Sequence, residues 1–322
     1  MPSIENKNVL VTGGAGFIGS HLCDELLQRN ANKVVCVDNF FLGKNENLNN
    51  ASKHENFILY RDDARSYNLM QLIIENEKIE VVFNLATIPL NYSFFNPSDA
   101  YLVNIEIAHN LLALLKNNSF KTLIHVSSSE AFGTAKYSPM DENHPIDPTT
   151  PYAAGKVSAD LMIQSFWKLF DLDISILRPF NNFGPRQNAE GVLAAIIPAS
   201  IRKILNGEKP ILEGDGLQSR DFIYVADTVR GIILGYENEN SRKKIINLGT
   251  GIAITIKDLL DGISQIMNYT GGYEIKPERK SDVKKLCANI NLAKELLNFK
   301  PEFSIIDGLK LTLDWYLNNK NL

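Results

Sequence analysis

Tyr152 and Lys156 stand four residues apart at the start of an amphipathic segment that begins at Pro151. At this spacing both side chains project from one face of a helix, about one turn apart. A tyrosine hydroxyl is a poor base at neutral pH, and lowering its pKa by about three units requires ~4 kcal/mol of preferential phenolate stabilisation. A buried ammonium one turn away supplies part of that stabilisation. The pair is therefore a candidate for removing a proton from a hydroxyl group.

A run of three serines, Ser127–Ser129, follows an apolar segment that ends at Val126. If that segment is a strand of a parallel sheet, the serines lie at its carboxyl end, the edge at which open α/β sheets bind ligands. A hydroxyl there, with Ser128 as the candidate, can hold a substrate oxygen against Tyr152. Taken singly, a Tyr and a Lys at this spacing occur by chance in most proteins, so the assignment depends on its surroundings.

Three glycines recur every third residue, Gly13, Gly16 and Gly19, directly after the apolar run Val9–Val11. Between a strand and a helix, glycines permit positive φ and close backbone approach, and the helix N-terminus directs N–H groups at a pyrophosphate. Alone, the triplet also fits an ordinary tight turn. Asp38, 19 residues after Gly19, adds a carboxylate that can accept both ribose hydroxyls of an adenosine. Because that carboxylate repels a 2′-phosphate, the sequence favours NAD over NADP.

A nicotinamide cofactor would complete the chemistry of the tyrosine. Tyr152 would take the proton from a substrate hydroxyl while hydride leaves the same carbon for NAD+. The positive nicotinamide ring would add to the stabilisation of the phenolate. These residues together predict the oxidation of an alcohol carbon.

The elements that must position these residues alternate between strands and helices, as in βαβ units that build a parallel sheet. The sequence predicts strands at Val9–Val11, Val34–Val37, Phe57–Tyr60, Val81–Leu85, Leu123–Val126 and Ile174–Leu177. It predicts helices near Phe17–Arg29, Tyr67–Glu77, Ala100–Asn117 and Tyr152–Phe170. After Arg178, frequent Gly and Pro separate shorter elements, which is typical of a loop-rich part built around a ligand.

Composition excludes several classes of protein. With 322 residues, 44% of them apolar and 22% charged, the chain has the make-up of one large or two ordinary globular domains. A net charge of −4 disfavours a nucleic-acid binder, which needs clustered Lys and Arg. No apolar run approaches the ~20 residues that span a bilayer. The three cysteines lack metal-ligand or redox spacing, so we expect no metal and a cytoplasmic location.

Taken together, the glycine turn, Asp38, Ser128 and the Tyr-Lys pair resemble the extended short-chain dehydrogenase/reductases, specifically the nucleotide-sugar epimerase/dehydratase family. The similarity covers almost the whole chain and includes three further motifs, Asn84–Ala86, Arg178–Arg186 and Gly214–Val225. The resemblance implies an NAD-dependent enzyme that acts on a nucleotide-diphosphate sugar.

The resemblance also implies a role for each matched position. The pyrophosphate of NAD would contact Gly13, Gly16, Phe17, Ile18 and Gly19, with the ribose at Asp38 and the adenine edge at Asp63 and Ala64. Lys156 would also bind the nicotinamide ribose. On the substrate side, the family uses the position of Asn181 for the sugar diphosphate and that of Arg220 for the nucleotide diphosphate. Arginine suits the second role because its forked donors match phosphate oxygens.

The reaction that follows oxidation depends on Ser128-Ser129-Glu130. In the dTDP-glucose dehydratases of the family that this chain resembles, the motif reads Thr-Asp-Glu, with the Asp as acid and the Glu as base at C5 of the sugar. Here Ser129 replaces the acid, while Glu130 fills the position of the base. Other dehydratases and decarboxylases of the family carry Thr-Ser-Glu, so Ser129 does not exclude elimination. A run of serines instead resembles the 4-epimerases, which need no base at C5.

We therefore expect oxidation at C4 of the sugar, followed by 4-epimerisation or by release of a 4-keto sugar. The alternative is a 4,6-dehydratase in which Glu130 is the C5 base. A more remote alternative is a catalytically idle NAD-binding sensor. Such proteins generally lose the tyrosine or the lysine, and this chain has both Tyr152 and Lys156.

The expected fold is a Rossmann-type doubly wound parallel sheet in residues 1–178, with a smaller C-terminal mixed α/β lobe in residues 179–322 that binds the nucleotide sugar. Some elements of the second part are expected to return to the first. The loops Ile88–Phe95 and Gln187–Leu193 would carry base and sugar recognition. The helices near 100–117 and 152–170 are apolar on more than one face, and the resemblance implies that they pair two copies into a homodimer.

Overall fold

A computed structural model describes residues 2–278 and 283–319. In chain order its strands are β1 (Asn8–Thr12), β2 (Lys33–Val37), β3 (Phe57–Tyr60), β4 (Val81–Asn84), β5 (Thr122–Val126), β6 (Ile174–Pro179), β7 (Asn181–Phe183), β8 (Ile211–Glu213), β9 (Ser219–Tyr224), β10 (Ile245–Leu248), β11 (Ala253–Thr255) and β12 (Glu274–Lys276). Its helices are α1 (Phe17–Gln28), α2 (Tyr67–Asn76), α3 (Pro97–Lys116), α4 (Pro151–Phe170), α5 (Ile196–Leu205), α6 (Val225–Glu237), α7 (Ile256–Ile266), α8 (Asn291–Leu297) and α9 (Ile305–Asn318).

The central sheet has the strand order β3-β2-β1-β4-β5-β6-β10, and every neighbouring pair is parallel. The six strands predicted from the sequence are confirmed, with ends that differ by at most two residues. Because the chain builds outward in both directions from β1 and β4, a crevice opens between the carboxyl ends of these two strands. This crevice is where a doubly wound sheet binds its ligands.

Helices cover both faces of the sheet, which confirms the predicted doubly wound fold. Successive residues of a strand face opposite sides, so Leu10 and Val11 of β1 belong to different apolar clusters. Val11 packs in one cluster with Leu26 of α1, whereas Leu10 shares the other with Ile163 of α4. With both faces buried, the strands consist almost entirely of apolar residues, as parallel strands do.

The first turn of α3 lies earlier than the sequence analysis predicts. The helix begins at Pro97 rather than Ala100, because the Asn96 side chain accepts a hydrogen bond from the Asp99 N–H at 3.3 Å and caps the helix. Proline is tolerated at the first helical position because the N–H that it lacks has no intrahelical partner there. Helix α4 begins in the same way at Pro151, where the Thr150 side chain accepts a hydrogen bond from the Ala153 N–H at 3.2 Å.

The C-terminal part forms two small sheets and five α-helices among the described residues. Strand β9 pairs with β7 in parallel and with β11 in antiparallel orientation, while β8 and β12 form a separate parallel pair. Strand β10 also comes from this part of the chain, yet it is the edge strand of the central sheet beside β6. The two parts of the chain therefore share one sheet. None of the helices in the described ranges combines the length and hydropathy that a membrane span requires.

Asp221 links separate segments of the C-terminal part through hydrogen bonds to its carboxylate. Its carboxylate is fully buried and accepts hydrogen bonds from the N–H groups of Thr250 at 2.8 Å, Gly251 at 2.9 Å and Ala288 at 3.1 Å. The Thr250 hydroxyl donates a further bond at 2.6 Å. A single carboxylate thus joins β9 to the segment that follows β10 and to the chain near Ala288.

We expect Asp221→Asn to lower the free energy of unfolding by about 2–3 kcal/mol, because an amide offers one acceptor oxygen and leaves buried donors unpaired. Urea denaturation followed by circular dichroism measures the change. Asp215→Asn is the matched control: Asp215 is exposed, its Oδ1 accepts only from the Leu217 N–H at 2.9 Å among the hydrogen bonds described, and the amide oxygen can keep that bond. The control should change stability by less than about 0.5 kcal/mol. Equal losses in the two variants would contradict the role assigned to Asp221.

Candidate active site

One large cavity of about 1340 Å³ opens at the crevice between β1 and β4. All the site residues predicted from the sequence line it: Gly13, Gly16, Phe17, Ile18, Gly19, Asp38, Asp63, Ala64, Ser128, Glu130, Tyr152, Lys156, Asn181 and Arg220. Pockets for one small molecule occupy about 300–1,000 Å³, so this cavity has room for more than one such ligand. The structure therefore brings residues that are far apart in the sequence to one place.

The glycine turn is closed tightly against the first turn of α1. Gly13 has φ +70°, and its N–H donates to the Val37 carbonyl at 2.8 Å. A Cβ on Gly19 would lie 2.1 Å from the Gly13 carbonyl oxygen, so no larger residue fits there without moving the turn. Phe17 and Ile18 follow at the start of α1 and face the cavity. The amino end of the helix thus points its N–H groups towards any anion bound there.

Asp38 follows β2 and is almost fully buried beside the glycine turn. Its Oδ2 accepts from the Ala15 N–H at 2.9 Å and its Oδ1 from the Phe40 N–H at 2.8 Å. Burial raises the pKa of this carboxyl, while the hydrogen bonds from the backbone oppose that change. Each oxygen retains acceptor capacity for a further hydroxyl donor. The position suits a ribose next to a pyrophosphate at the turn.

Asp63 and Ala64 lie farther along the same wall of the cavity. Asp63 forms an ion pair with Arg65 at 2.7 Å and accepts from the Asn39 side chain at 3.1 Å. Burial alone would raise the pKa of Asp63, but the bonds from Arg65 and Asn39 bring it below its usual range. The carboxylate is therefore ionised and oriented at the edge predicted for the adenine.

Lys156 is buried beneath the cavity. Its Nζ donates a hydrogen bond to the Val126 carbonyl at 3.0 Å, at the end of β5. Burial lowers the pKa of Lys156 to about 8, and the negative charge of Asp160 opposes that decrease. The ammonium remains the predominant form at neutral pH.

Tyr152 lies in the first turn of α4, where its backbone N–H donates to the Ser93 hydroxyl at 3.0 Å. Burial raises the pKa of its phenol to about 12, and the charge of Glu130 adds to the increase. Hydrogen bonds with Ser128 and Thr87 act in the opposite direction. Without a ligand the phenol is therefore protonated at neutral pH, and its use as a base requires additional positive charge nearby.

The three serines after β5 point in different directions. Ser128 caps the short helical turn Ser129–Phe132, and its Oγ accepts from the Glu130 N–H at 3.2 Å. Ser127 also lines the cavity, but its hydroxyl donates to the Asp160 carboxylate at 2.6 Å. Ser128 is thus the serine beside Tyr152, as the sequence analysis predicted, and the cap holds Glu130 on the same side of the cavity.

Asn181 and Arg220 line the part of the cavity formed by the C-terminal lobe. Asn181 begins β7, and its Oδ1 is buried with no hydrogen-bond partner among the described residues. Arg220 lies in β9, 8% exposed, and donates to the Ser219 carbonyl at 3.0 Å. The loops 88–95 and 187–193 also contribute residues to the lining. Their roles toward a substrate stay predictions.

Sequence reasoning missed two polar residues of the site. Thr87, which hydrogen-bonds to Tyr152, follows β4 at the same sheet edge as the serines. Its position after the strand motif that ends at Ala86 was an available signal. Asp160 has no such signal, because its place beside Lys156, Ser127 and the next strand depends on how α4 packs on the sheet.

Comparison with known proteins finds a family model and relatives that match nearly the whole chain. The family model described as GDP-mannose 4,6 dehydratase matches residues 10–312. A UDP-glucuronate 4-epimerase from Thermodesulfobacterium geofontis is 36% identical over 97% of each chain. The solved UDP-N-acetylglucosamine 4-epimerase of Methanobrevibacter ruminantium, in complex with UDP-N-acetylmuramic acid, is 38% identical with a TM-score of 0.90, over 98% of this chain and 99% of that one.

A dTDP-glucose 4,6-dehydratase from Streptomyces venezuelae, solved with NAD bound, superposes with a TM-score of 0.92 at 26% identity over 98% of each chain. Relatives of both reaction types thus share the whole fold with this chain.

We expect Gly19→Ala to destabilise the protein and to abolish dinucleotide binding, because the added methyl would press on the Gly13 carbonyl at the phosphate turn. Thermal unfolding with and without NAD+ measures both effects. Gly262→Ala is the matched control, since Gly262 also lies within a helix and nothing stands within 4 Å of its added Cβ. That control should be stabilised by about 0.5–1 kcal/mol and should keep its response to NAD+. A normal NAD+ response in Gly19→Ala would contradict the assignment of the turn.

Proposed function

Because the chain belongs to the extended short-chain dehydrogenase/reductases, in the NAD-dependent nucleotide-sugar epimerase/dehydratase family, we propose that it is a 4-epimerase of a UDP-sugar. The observation that carries this proposal is the convergence of Tyr152, Lys156 and Ser128 on the cavity that also holds the glycine turn. The two relatives above 35% identity described in the preceding section, both UDP-sugar 4-epimerases, support the reaction and the nucleotide.

The side of the cavity formed by the glycine turn, the start of α1 and Asp38 has polar groups that fit NAD. The glycine turn and the start of α1 offer backbone N–H groups to a pyrophosphate, and Asp38 offers carboxylate oxygens to the adjacent ribose. Asp63 and Ala64 lie where the adenine would end, and Lys156 lies where the nicotinamide ribose would end. Bound NAD+ supplies a hydride acceptor at C4 of the sugar and a positive charge beside Tyr152.

The chain's own residues bind the C4 hydroxyl of the sugar and transfer its proton. Ser128 and Tyr152 hold the C4 oxygen of the sugar between their hydroxyls, and the Tyr152 phenolate takes its proton. Protonated Lys156 stabilises that phenolate through its charge. In the second half of the reaction Tyr152 would give that proton back to the C4 oxygen, so the site would be restored without net proton transfer.

The diphosphate of the sugar nucleotide would be held by the C-terminal lobe. Asn181 offers a side-chain amide there, and Arg220 offers a guanidinium whose fork matches phosphate oxygens. The loops 88–95 and 187–193 surround the space left for the sugar. Epimerisation requires the reacting sugar to rotate within this space so that it presents its other face.

We expect Tyr152→Phe to lose at least about a thousandfold in kcat, since the proton acceptor is gone, while NAD+ binding is retained. Conversion of UDP-glucose, UDP-N-acetylglucosamine and UDP-glucuronate to their 4-epimers is followed by chromatography and mass spectrometry. Tyr269→Phe, at a tyrosine outside the cavity, should turn over like the parent protein. Full activity in Tyr152→Phe would refute the assignment.

A second candidate function is 4,6-dehydration, favoured by one observation. Glu130 lines the cavity close enough to Tyr152 for its charge to raise the pKa of the phenol, so a base is available beside the sugar carbon next to C4. The same assay in deuterated buffer distinguishes the reactions. A product that has lost water and gained deuterium, and that Glu130→Gln cannot form, indicates the dehydratase; an isomer of unchanged composition indicates the epimerase.

The proposed enzyme is a homodimer paired through α3 and α4. These helices pack against each other and leave Leu102, Leu161 and Leu169 on their outer surface, with exposed fractions of 46%, 59% and 74%. Exposed apolar side chains on two adjacent helices form the kind of patch that a second copy covers. Residues of both helices also reach the active site, so pairing would stabilise the segment that carries Tyr152.

We expect the parent protein to be a dimer in multi-angle light scattering at micromolar concentration, and Leu161→Glu to be a monomer, because a carboxylate would be buried at the interface. Leu217→Glu is the matched control, since Leu217 is similarly exposed, at 65%, but lies in the C-terminal lobe. That variant should stay dimeric. A monomeric parent protein would refute the pairing.

A further inference from the structure

Asp160 lies one helical turn after Lys156 on α4 and is almost fully buried. Its Oδ2 accepts a hydrogen bond from the Ser127 hydroxyl at 2.6 Å and forms an ion pair with Arg178 at 2.7 Å. These two partners stand at the carboxyl ends of β5 and β6. Ser127 immediately precedes Ser128, and Arg178 lies three residues before Asn181. One carboxylate therefore joins α4 to both strand ends that lead into the site.

Lys156 needs a countercharge. A buried ammonium is costly unless an opposite charge compensates it, and its one hydrogen bond described in the structure goes to a neutral carbonyl, that of Val126. Among the described residues, Asp160 is the group whose negative charge raises the pKa of Lys156. Arg178 is the buried cation that pairs directly with this carboxylate, and it also stacks on the Phe132 ring at 4.6 Å.

His125 does not neutralise this carboxylate. Its Nδ1 accepts from the Asn84 side-chain amide at 2.9 Å, and the Thr12 hydroxyl fixes that amide by donating to its oxygen at 2.7 Å. The ring proton therefore lies on Nε2, which faces Asp160 Oδ1 at 3.7 Å. Burial lowers the pKa of His125 to about 3, so the ring is neutral. His125 therefore adds no positive charge here: Arg178 pairs with Asp160 at 2.7 Å, and Lys156 lies one helical turn away on α4.

We propose that Asp160 is a positioning residue of the active site: its carboxylate keeps Lys156 charged and fixes α4 against the strand ends that carry Ser128 and Asn181. The proposal rests on the proposed function, in which Lys156 assists proton transfer at Tyr152. It adds a residue that touches neither ligand and acts through the lysine.

The charges around Lys156 determine the direction in which the pH dependence of activity moves when Asp160 is neutralised. Removing the charge of Asp160 leaves two buried cations, so Lys156 loses its proton at a lower pH than about 8. Tyr152 then becomes harder to ionise, and the rise of activity with pH moves to higher pH. Asp160 also acts on Tyr152 directly, in the opposite sense and more weakly than Glu130. His125 is a further titratable neighbour of Lys156, and because its ring is neutral it adds no charge.

The first experiment measures the protonation of Lys156 directly. Lysine labelled with ¹³C at Cε is incorporated into the parent protein and Asp160→Asn, and the Lys156 signal, assigned with Lys156→Arg, is titrated by NMR. We expect a midpoint near pH 8 in the parent and a decrease of about one pH unit in the variant, equivalent to about tenfold in the proton equilibrium. An unchanged or raised midpoint would overturn the proposal. This readout needs no turnover, so it decides the role of Asp160 even if the epimerase assignment fails.

The second experiment measures how kcat depends on pH. We expect kcat of Asp160→Asn to fall about tenfold at pH 7 and to recover with increasing pH, with the midpoint of the rising limb displaced upward. Ser127→Ala is the matched control: it removes one hydrogen bond to the same carboxylate but no charge, so kcat decreases without movement of the midpoint. A loss in Asp160→Asn that is equal at every pH would indicate a structural role alone and would overturn the proposal.

A buried Arg178 without its partner could prevent Asp160→Asn from folding. The double variant Asp160→Asn/Arg178→Met removes both charges of that pair, which is tolerated far better than removal of one. Lys156 still loses its countercharge in the double variant. The midpoint of its titration should therefore decrease in the same direction, and a midpoint equal to that of the parent would again overturn the proposal.

Discussion

The buried ammonium of Lys156 is the constraint around which this site is organised. Tyr152 can act as a base only when positive charge lies close to its phenol. Burial excludes water from the site, but it also destabilises the Tyr152 phenolate and the Lys156 ammonium. The structure balances these demands by setting the lysine under the cavity, against the end of β5, with Asp160 one turn farther along the helix. The same burial that raises the pKa of Tyr152 makes each charge nearby more effective, because the surroundings screen it less.

The parallel sheet supplies the geometry that this chemistry requires. Its strands end at one edge, so the glycine turn after β1, Asp38 after β2, Thr87 after β4 and the serines after β5 meet although the chain separates them widely. Helix α4 then crosses the sheet and brings Tyr152 to Ser128. Cofactor and substrate groups bound in this cavity would contact rigid strand ends as well as loops, which would favour a fixed distance between Tyr152 and a reacting carbon.

The C-terminal part is joined to the first through shared structure. Strand β10 completes the central sheet, and β6 continues through Phe180 into β7, so Asn181 is set by the same strand that holds Arg178. Asp221 braces the segment beside Arg220 with bonds to several backbone donors. This sharing implies that the lobe that would hold the sugar diphosphate is positioned by the sheet that would hold the dinucleotide.

The sequence by itself determined the strands, the main helices, the glycine turn and the family, because these depend on local patterns: apolar runs, glycines that alone fit a close turn, and a Tyr and a Lys on one helix face. Spacing relative to strand ends also selected the glycine turn, Asp38, Ser128 and the Tyr-Lys pair, whereas Asp63, Ala64, Asn181 and Arg220 were selected by the resemblance to the family. The start of α3 was misplaced because a side-chain cap at Asn96, rather than the apolar period, decides it.

Only the tertiary structure decided that Thr87 hydrogen-bonds to Tyr152, that β10 returns to the central sheet, and that Asp160 contacts both Arg178 and Ser127. Each of these depends on contacts between segments distant in the chain. The balance of charges around Lys156 is likewise a property of burial and distance, which no local pattern of residues encodes.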